Sequence, residues 1–350
     1  MVRIAIIGTG GMAGWHARRF GSIKGSRLVA CCDIVPGRAK AFAETHKIPA
    51  AYEDAAKMLG KEKLDAVSIV AVDSAHAPLA LLALRHNLHV MCEKPLATSL
   101  KAARRMAAEA RKRKLLTAVN FSYRNNPATQ KAAQLVAEGA LGRIIHVEGS
   151  YLQSWLVSKV WGDWQKSPAL MWRLSTRHGS GGTLCDIGVH LYDLASFVVG
   201  DIEALTCALK TFDKGVKRIG EYVFDANDSM VATVRFRNGA LGTLHSSRWA
   251  VGHTNTVALR VYGDKGGLYL NLDRPAPETL RICRGKDIAK AEWVSVPCPR
   301  VPDMAERFVT SILKKKQGQT SFDGGARVQA YLECSQRSAH AGGAWMTVKA

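Results

Sequence analysis

No stretch of these 350 residues approaches the roughly 18 uninterrupted apolar residues that a membrane-spanning helix requires. The eight cysteines, Cys31, Cys32, Cys92, Cys185, Cys207, Cys283, Cys298 and Cys334, include no C-x-x-C pair. Without such spacing the scatter reads as reduced, mostly buried thiols in a reducing compartment, not as a zinc site or a disulfide framework. The opening Met1-Val2-Arg3-Ile4-Ala5-Ile6-Ile7 lacks a basic region, long apolar stretch and cleavage site in succession. It reads as a core strand and not as an export signal. A soluble, cytoplasmic protein with no membrane partner is the expectation.

Acidic residues are the other shortage. Asp and Glu number 29 against 49 Lys and Arg, for a net charge of +20. A basic balance of this kind can serve nucleic acid, an acidic membrane face or an anionic ligand. The positive residues are spread along the chain, with one dense run at Lys101, Arg104, Arg105, Arg111, Lys112, Arg113 and Lys114. Ala102, Ala103, Met106, Ala107 and Ala110 supply an apolar side at helical spacing, so the run reads as the solvated face of an amphipathic helix. No known nucleic-acid module is present, and no nucleic-acid partner is expected. His86 and His89 have no partner cluster, and no metal site is expected from them.

Hydrophobic residues are plentiful, at 47% of the chain, and the length suits two domains of roughly 100–200 residues each. Short, nearly continuous apolar runs at 2–7, 28–32, 66–71 and 88–92 alternate with helical patterns such as 12–23 and 37–46. Buried strands alternating with helices predict βαβ units and a parallel sheet covered on both faces. This regime runs to about Phe121. A helix over 127–138 ends at Gly139, and longer alternating strands follow at 144–151, 229–237, 241–249 and 256–262. Asn238-Gly239 signals a hairpin whose turn needs positive φ at its central residues. The fold class expected is α/β: a Rossmann domain over 1–121, then an α+β domain over 122–350 with a large, mostly antiparallel open sheet. The last helix, about 324–341, is expected to return toward the first domain. An open sheet needs cover, so a homodimer or homotetramer built sheet to sheet is expected.

Gly8-Thr9-Gly10-Gly11-Met12-Ala13 reads as G-x-G-x-x-A between a strand and a helix. Gly8 permits the tight turn, Gly10 lets the backbone approach a pyrophosphate, and Ala13 allows close helix–strand packing. The helix start at Gly11 and Met12 offers free N–H groups to phosphate. Asp33 ends the second strand, where a carboxylate binds the ribose 2′-hydroxyl of NAD and repels the 2′-phosphate of NADP. Arg38, close by, leaves NADP open, although it also reads as an ordinary surface residue.

Two further segments carry chemistry. Cys92-Glu93-Lys94-Pro95-Leu96 follows an apolar strand, and strand ends of a parallel sheet face the ligand crevice. Proline constrains Lys94 and aims its side chain, although a surface salt bridge explains the pair equally well. In Gly181-Gly182-Thr183-Leu184-Cys185-Asp186-Ile187-Gly188-Val189-His190, a helix places Asp186 and His190 on one face. A carboxylate beside an imidazole tunes a general base, or merely caps a buried histidine.

Together these residues resemble the Gfo/Idh/MocA oxidoreductases, the glucose–fructose oxidoreductase and inositol dehydrogenase group. The resemblance also takes in Arg124 with Pro127, Trp172-Arg173, Asn238-Gly239 and the closing helix. It implies that Lys94, Asp186 and His190 are the catalytic trio: His190 takes the proton of a substrate hydroxyl, Lys94 polarises that oxygen, and Asp186 steers the imidazole and binds substrate. It implies cofactor contacts at Ala71, His76 and Glu93 besides Lys94, and a Lys94–Pro95 bond that is often cis. The family's Thr-Pro after the fourth strand is replaced here by Val72-Asp73-Ser74, which puts the shape of the nicotinamide pocket in doubt.

Four of the eight tryptophans, Trp155, Trp161, Trp164 and Trp172, precede the Asp186 segment. With Tyr151 and Arg173 they read as a wall for a sugar or cyclitol, or as core or subunit interface. Lys94, Arg124, Tyr151, Trp164, Trp172, Arg173, Asp186 and His190 are the candidate substrate contacts. The leading expectation is an NAD-linked dehydrogenase of a sugar, anhydrosugar or cyclitol, with NADP possible. Two rivals are a redox-assisted glycoside-modifying enzyme with recycled NAD and a non-catalytic, cofactor-sensing regulator.

Overall fold

The structure, a computed structural model, describes residues 1–273 and 279–349. In chain order its first elements are β1 (Val2–Ile7), α1 (Ala13–Ser22), β2 (Ser26–Cys32), α2 (Arg38–His46), β3 (Ala50–Tyr52), α3 (Ala55–Lys61), β4 (Ala66–Ile69), α4 (Asp73–Arg85), β5 (His89–Cys92), α5 (Leu100–Lys112) and β6 (Thr117–Val119). There follow α6 (Pro127–Ala137), β7 (Ile144–Leu152), α7 (Pro168–Met171), a π turn at Leu184–Gly188, α8 (Val189–Val199) and β8 (Ile202–Lys210). A small ribbon, β9 (Arg218–Ile219) with β10 (Tyr222–Val223), precedes β11 (Ser229–Phe236), β12 (Leu241–Ser247), β13 (Thr256–Gly263), β14 (Gly266–Asn271), β15 (Thr279–Arg284) and β16 (Val294–Ser295). The chain closes with α9 (Met304–Lys314), α10 (Phe322–His340) and β17 (Met346–Thr347). No helix among the described residues is long and apolar enough to cross a membrane.

Two compact units result. The first comprises Met1–Ser122 with Pro302–Gln329, and the second Tyr123–Val301 with the residues from Ala330 on. A single cut after residue 121 therefore omits a segment that the first unit needs. The reason is the apolar stripe of α9. Met304, Ala305, Phe308 and Val309 pack with Val2, Ile4, Phe20 and Met91 into one core cluster. A capping box starts that helix: Asp303 accepts from the Glu306 backbone while Glu306 reaches back to the Asp303 N–H.

The first unit's sheet runs β3-β2-β1-β4-β5-β6, all parallel. The strand order reverses between β1 and β4, and in such sheets the crevice beyond the strand ends at that point takes the ligand. Helices cover both faces. Ala13, Ala17, Ala39 and Ala43 close on Ile6, Cys31 and Val70 in a second core cluster.

The second unit's sheet runs β16-β15-β14-β13-β7-β12-β11-β8-β17, antiparallel except for β7 with β12. α8 lies on one face of it so closely that a side chain at Gly149 would meet Leu191 of α8 and Leu244 and Leu259 of the flanking strands. On the other face Val231 and Leu241 stand exposed. The Asn238-Gly239 hairpin differs from the expected turn, since only Gly239 has positive φ. The Gly239 N–H donates to the Phe236 carbonyl and the Phe236 N–H to the Ala240 carbonyl, which makes a three-residue loop with a left-handed glycine.

Phe308 is 2% exposed in the α9 cluster. Phe308→Ala is expected to destabilise the first unit by about 3–5 kcal/mol, the usual result of emptying an aromatic core position. Denaturant unfolding followed by circular dichroism checks this; an unchanged midpoint would mean that α9 is not part of that core.

Candidate active site

The glycine turn of the first unit has the geometry of a phosphate cradle. Gly8 takes φ +90, and a side chain there would lie 2.6 Å from the Val70 carbonyl, so two constraints select glycine at once. At Gly10 and Gly11 a side chain would meet no protein atom within 4 Å, which leaves the space above the loop open. Met12, Ile34 and Val72, at the carboxyl ends of the strands, are exposed apolar side chains of the kind a flat base can cover. These features fit a bound dinucleotide.

Asp33 is held rather than free. Its carboxylate accepts from the Thr9 N–H (2.8 Å), the Thr9 hydroxyl (2.9 Å) and the Val35 N–H (3.0 Å). Arg38 lies 3.6 Å away. Burial opposes the Asp33 charge, but the bonds from Val35 and Thr9, with the Arg38 charge, hold the carboxyl below its ordinary value. Asp33 thus shapes the turn as well as offering charge beside it.

Glu93 faces inward. Its Oε1 receives His16 Nε2 (2.9 Å) and Asn120 Nδ2 (2.6 Å), and its Oε2 the Lys94 backbone N–H (3.2 Å). His16 in turn pairs through Nδ1 with the Ser68 hydroxyl at 2.9 Å. Burial would raise the Glu93 carboxyl; the His16, Asn120 and Lys94 partners overcome that and bring it to about 2. The Glu93 side chain anchors the turn at Lys94, its oxygens taken up by these internal donors. His76 is likewise fully buried, its ring nitrogens 2.8 Å from the Pro95 carbonyl and 3.0 Å from that of Ala71. It clamps the Lys94–Pro95 turn, whose peptide is cis, to the end of β4.

In the second unit, Asn227 staples the glycine pair ahead of the π turn. Its backbone carbonyl accepts from Thr183, its side-chain oxygen from Leu184, and its amide donates to Gly181. A side chain at Gly182 would lie 2.4 Å from that amide. Asp186 sits in the π turn and His190 in the first turn of α8, so the regular helix expected across both is locally widened. π turns of this sort recur at functional sites.

His190 is 8% exposed and lies edge-to-face with Tyr123, ring centroids 5.1 Å apart. The Tyr123 hydroxyl donates to that of Tyr151 (2.8 Å), Tyr151 to Asn255 Oδ1 (3.0 Å), and Asn255 Nδ2 back to Tyr123 (3.2 Å). Burial, with Tyr123 alongside, pushes the Tyr151 phenol well above its ordinary value and keeps it a donor. Asp186 Oδ2 accepts from Arg248 Nη2 at 2.9 Å, and Arg173 Nε lies 3.6 Å away. Arg173 also stacks over the half-buried Trp172.

Two candidate substrate contacts lie among buried partners. Trp164 is buried with Trp155, Leu170, Met171 and Phe224, and its ring meets Phe224 edge-on, so it is core and not wall. Arg124 is buried in a bidentate pair with Asp193 (2.9 and 2.5 Å) and lies over Phe197, which commits its charge internally. His16, Asn120, Tyr123, Asn255 and Arg248 are the residues missed. For His16 the signal was its place on the apolar stripe Ala13–His16–Ala17–Phe20 of α1.

Both parts of the chain have counterparts among known proteins. Residues 2–121 match the model of an oxidoreductase family with an NAD-binding Rossmann fold, and residues 129–269 that of the GFO/IDH/MocA C-terminal domain. The chain is 31% identical to D-glucoside 3-dehydrogenase of Escherichia coli over 279 residues, 77% of each protein. It is also 31% identical to levoglucosan dehydrogenase of Pseudarthrobacter phenanthrenivorans over 223 residues, 59% of this chain. That match spans little more than half of the relative, 55% of its length. A levoglucosan dehydrogenase solved with NADH and levoglucosan shares the fold over the whole of both chains, with TM-score 0.88 and 24% identity.

Gly10→Ala is expected to leave stability within about 0.5 kcal/mol, since the added methyl meets no protein atom. The same change is expected to weaken NAD binding at least about tenfold by calorimetry, because the methyl occupies the space over the loop. Glu93 titrates at about 2 in the fold against an ordinary 4.5. Its contribution to stability is therefore complete above about pH 5 and is lost as the pH falls toward 2. The stability gap between the protein and Glu93→Gln should be widest above about pH 5 and narrow toward pH 2; a gap independent of pH would contradict the assignment.

Proposed function

The chain belongs to the Gfo/Idh/MocA family of oxidoreductases, and on that footing we propose that it is an NAD-dependent dehydrogenase acting on a secondary hydroxyl of a sugar, anhydrosugar or cyclitol. Its first unit is the family's NAD-binding Rossmann domain. The observation that carries the reading is the presence in one chain of Lys94 directly after β5 and of Asp186 with His190 around the π turn.

Bound NAD supplies the hydride acceptor, C4 of the nicotinamide. The chain's own residues handle the proton and the charge. His190, set against Tyr123, takes the proton of the reacting hydroxyl as a neutral imidazole. Asp186 accepts a hydrogen bond from substrate and steers that imidazole. Lys94 brings a positive charge to the oxygen as its proton leaves, which stabilises the developing alkoxide. Its backbone is tied to the Glu93 carboxylate, so its approach is set by the buried network behind it. Trp172 and Arg173 offer an aromatic face and a donor fork suited to a ring with several hydroxyls.

The reading includes a homodimer or homotetramer in which another copy covers the open face of the nine-stranded sheet. Exposed Val231 and Leu241 on that face support it. A cytoplasmic setting is proposed because all eight cysteines are free thiols, with burial raising those of Cys31 and Cys32 to about 11.

The test is the formation of reduced nicotinamide when the protein and NAD meet a panel of anhydrosugars, glucosides, sugar acids and inositols. One class of polyol is expected to react, and His190→Ala to lower kcat by roughly 10²–10⁴-fold, the usual contribution of a general base. Lys94→Ala should be impaired similarly. Tight NAD binding with no turnover on any polyol would move the assignment to a recycled-cofactor enzyme or a sensor.

A further inference from the structure

Arg248 directly follows β12 and has no exposed surface. Removing a guanidinium from water is costly unless partners replace the lost hydration. Its partners are specific. Nη2 donates to Asp186 Oδ2 and Nη1 to the Arg173 carbonyl, both at 2.9 Å, while the Trp155 ring lies 5.1 Å from the guanidinium carbon. The Arg248 backbone N–H donates to the Asp228 carbonyl at 3.0 Å.

Behind it lies a second buried pair. Lys214 Nζ is 2.6 Å from Asp228 Oδ2, with side chains 1% and 0% exposed, and the Phe212 N–H donates to the same oxygen. Lys214, Asp228, Arg248 and Asp186 thus alternate in sign, and of the four only Asp186, 27% exposed, has substantial access to solvent. Arg173 is the remaining charged group that faces Arg248. If the position served packing alone, an apolar residue would fill it at lower cost. The line of buried charge instead ends on the one carboxylate that the mechanism uses. That carboxylate stands in a π turn, where the backbone departs from the regular helical ladder.

We propose that Arg248 is a positioning residue, which fixes the orientation of the Asp186 carboxylate and through it the hydroxyl that Asp186 accepts from. The second half of this statement rests on the dehydrogenase reading; the first half does not. Arg248 is not expected to touch substrate, so its effects should run through Asp186.

A double-mutant cycle with R248M and D186N tests this in two readouts. In thermal unfolding the two changes should be coupled, the double variant melting roughly 2–4 °C above the sum of the single losses, because it leaves neither charge buried without its partner. In turnover, each single variant should lose about 100-fold in kcat/KM, and the double variant no more than D186N alone. R248K, which keeps the charge but cannot serve both acceptors, should recover part of the loss and supplies the cycle if R248M does not fold. Additive melting effects overturn the proposal. Coupled melting with additive kinetic losses reduces Arg248 to a structural role and also overturns it. Coupled melting in a protein that oxidises no polyol leaves Arg248 as the anchor of Asp186 and overturns the functional reading instead.

Discussion

A carboxylate taken out of water must be met by donors, and the first unit is organised around meeting that need at Glu93. His16 comes from α1, Asn120 from just after β6 and the Lys94 N–H from the chain itself, while Ser68 on β4 holds the far side of the imidazole. Helix α1 begins at the glycine turn, and Lys94 leaves the end of β5. One buried charge therefore ties the glycine turn to Lys94. Replacing any donor leaves a buried carboxylate underpaired, which is among the more damaging changes a core can suffer.

The second unit repeats the principle with different residues. Arg124 with Asp193, Lys214 with Asp228 and Arg248 with Asp186 are pairs in which at least one member is almost wholly buried. The first two keep both charges inside, and only the third presents a partly accessible carboxylate. Around His190, the Tyr123–Tyr151–Asn255 triangle is closed on itself by three hydrogen bonds, which fixes the aromatic edge against which the imidazole rests. Rigid surroundings of this kind let a base act without reorganising as charge develops.

Much of this was legible in the sequence, for physical reasons that differ by residue. Glycine at positions 8, 10 and 11 has few explanations other than a tight turn and an open approach, and Asp33 at the end of β2 completed the pattern. The long strands of the second unit alternate clearly enough to be read. β3 and β6, of three residues each, carry too few positions for a period to show. Burial of a charged residue is also legible where the period is secure: Leu244, Ser246 and Arg248 fall on the inward phase of one strand, and an inward arginine announces a partner. Which partner it takes is a long-range fact, 62 residues away, that no local pattern holds. The four tryptophans read equally as sugar wall or as core, because aromatic clustering is common to both, and Trp164 packs in the core. The π turn at Leu184–Gly188 was invisible because it depends on how Asn227 meets the glycine pair.

The proposed function requires that a carbinol hydrogen of a polyhydroxylated ring pass to NAD on this protein. The most direct measurement is isotopic: incubate the protein and NAD with levoglucosan, glucosides and inositol deuterated on carbon, and examine the reduced cofactor by mass spectrometry and proton NMR. Deuterium at nicotinamide C4, delivered to one face only, is the predicted result. Reduced cofactor free of deuterium, or no reduction from any of these rings, would contradict the account.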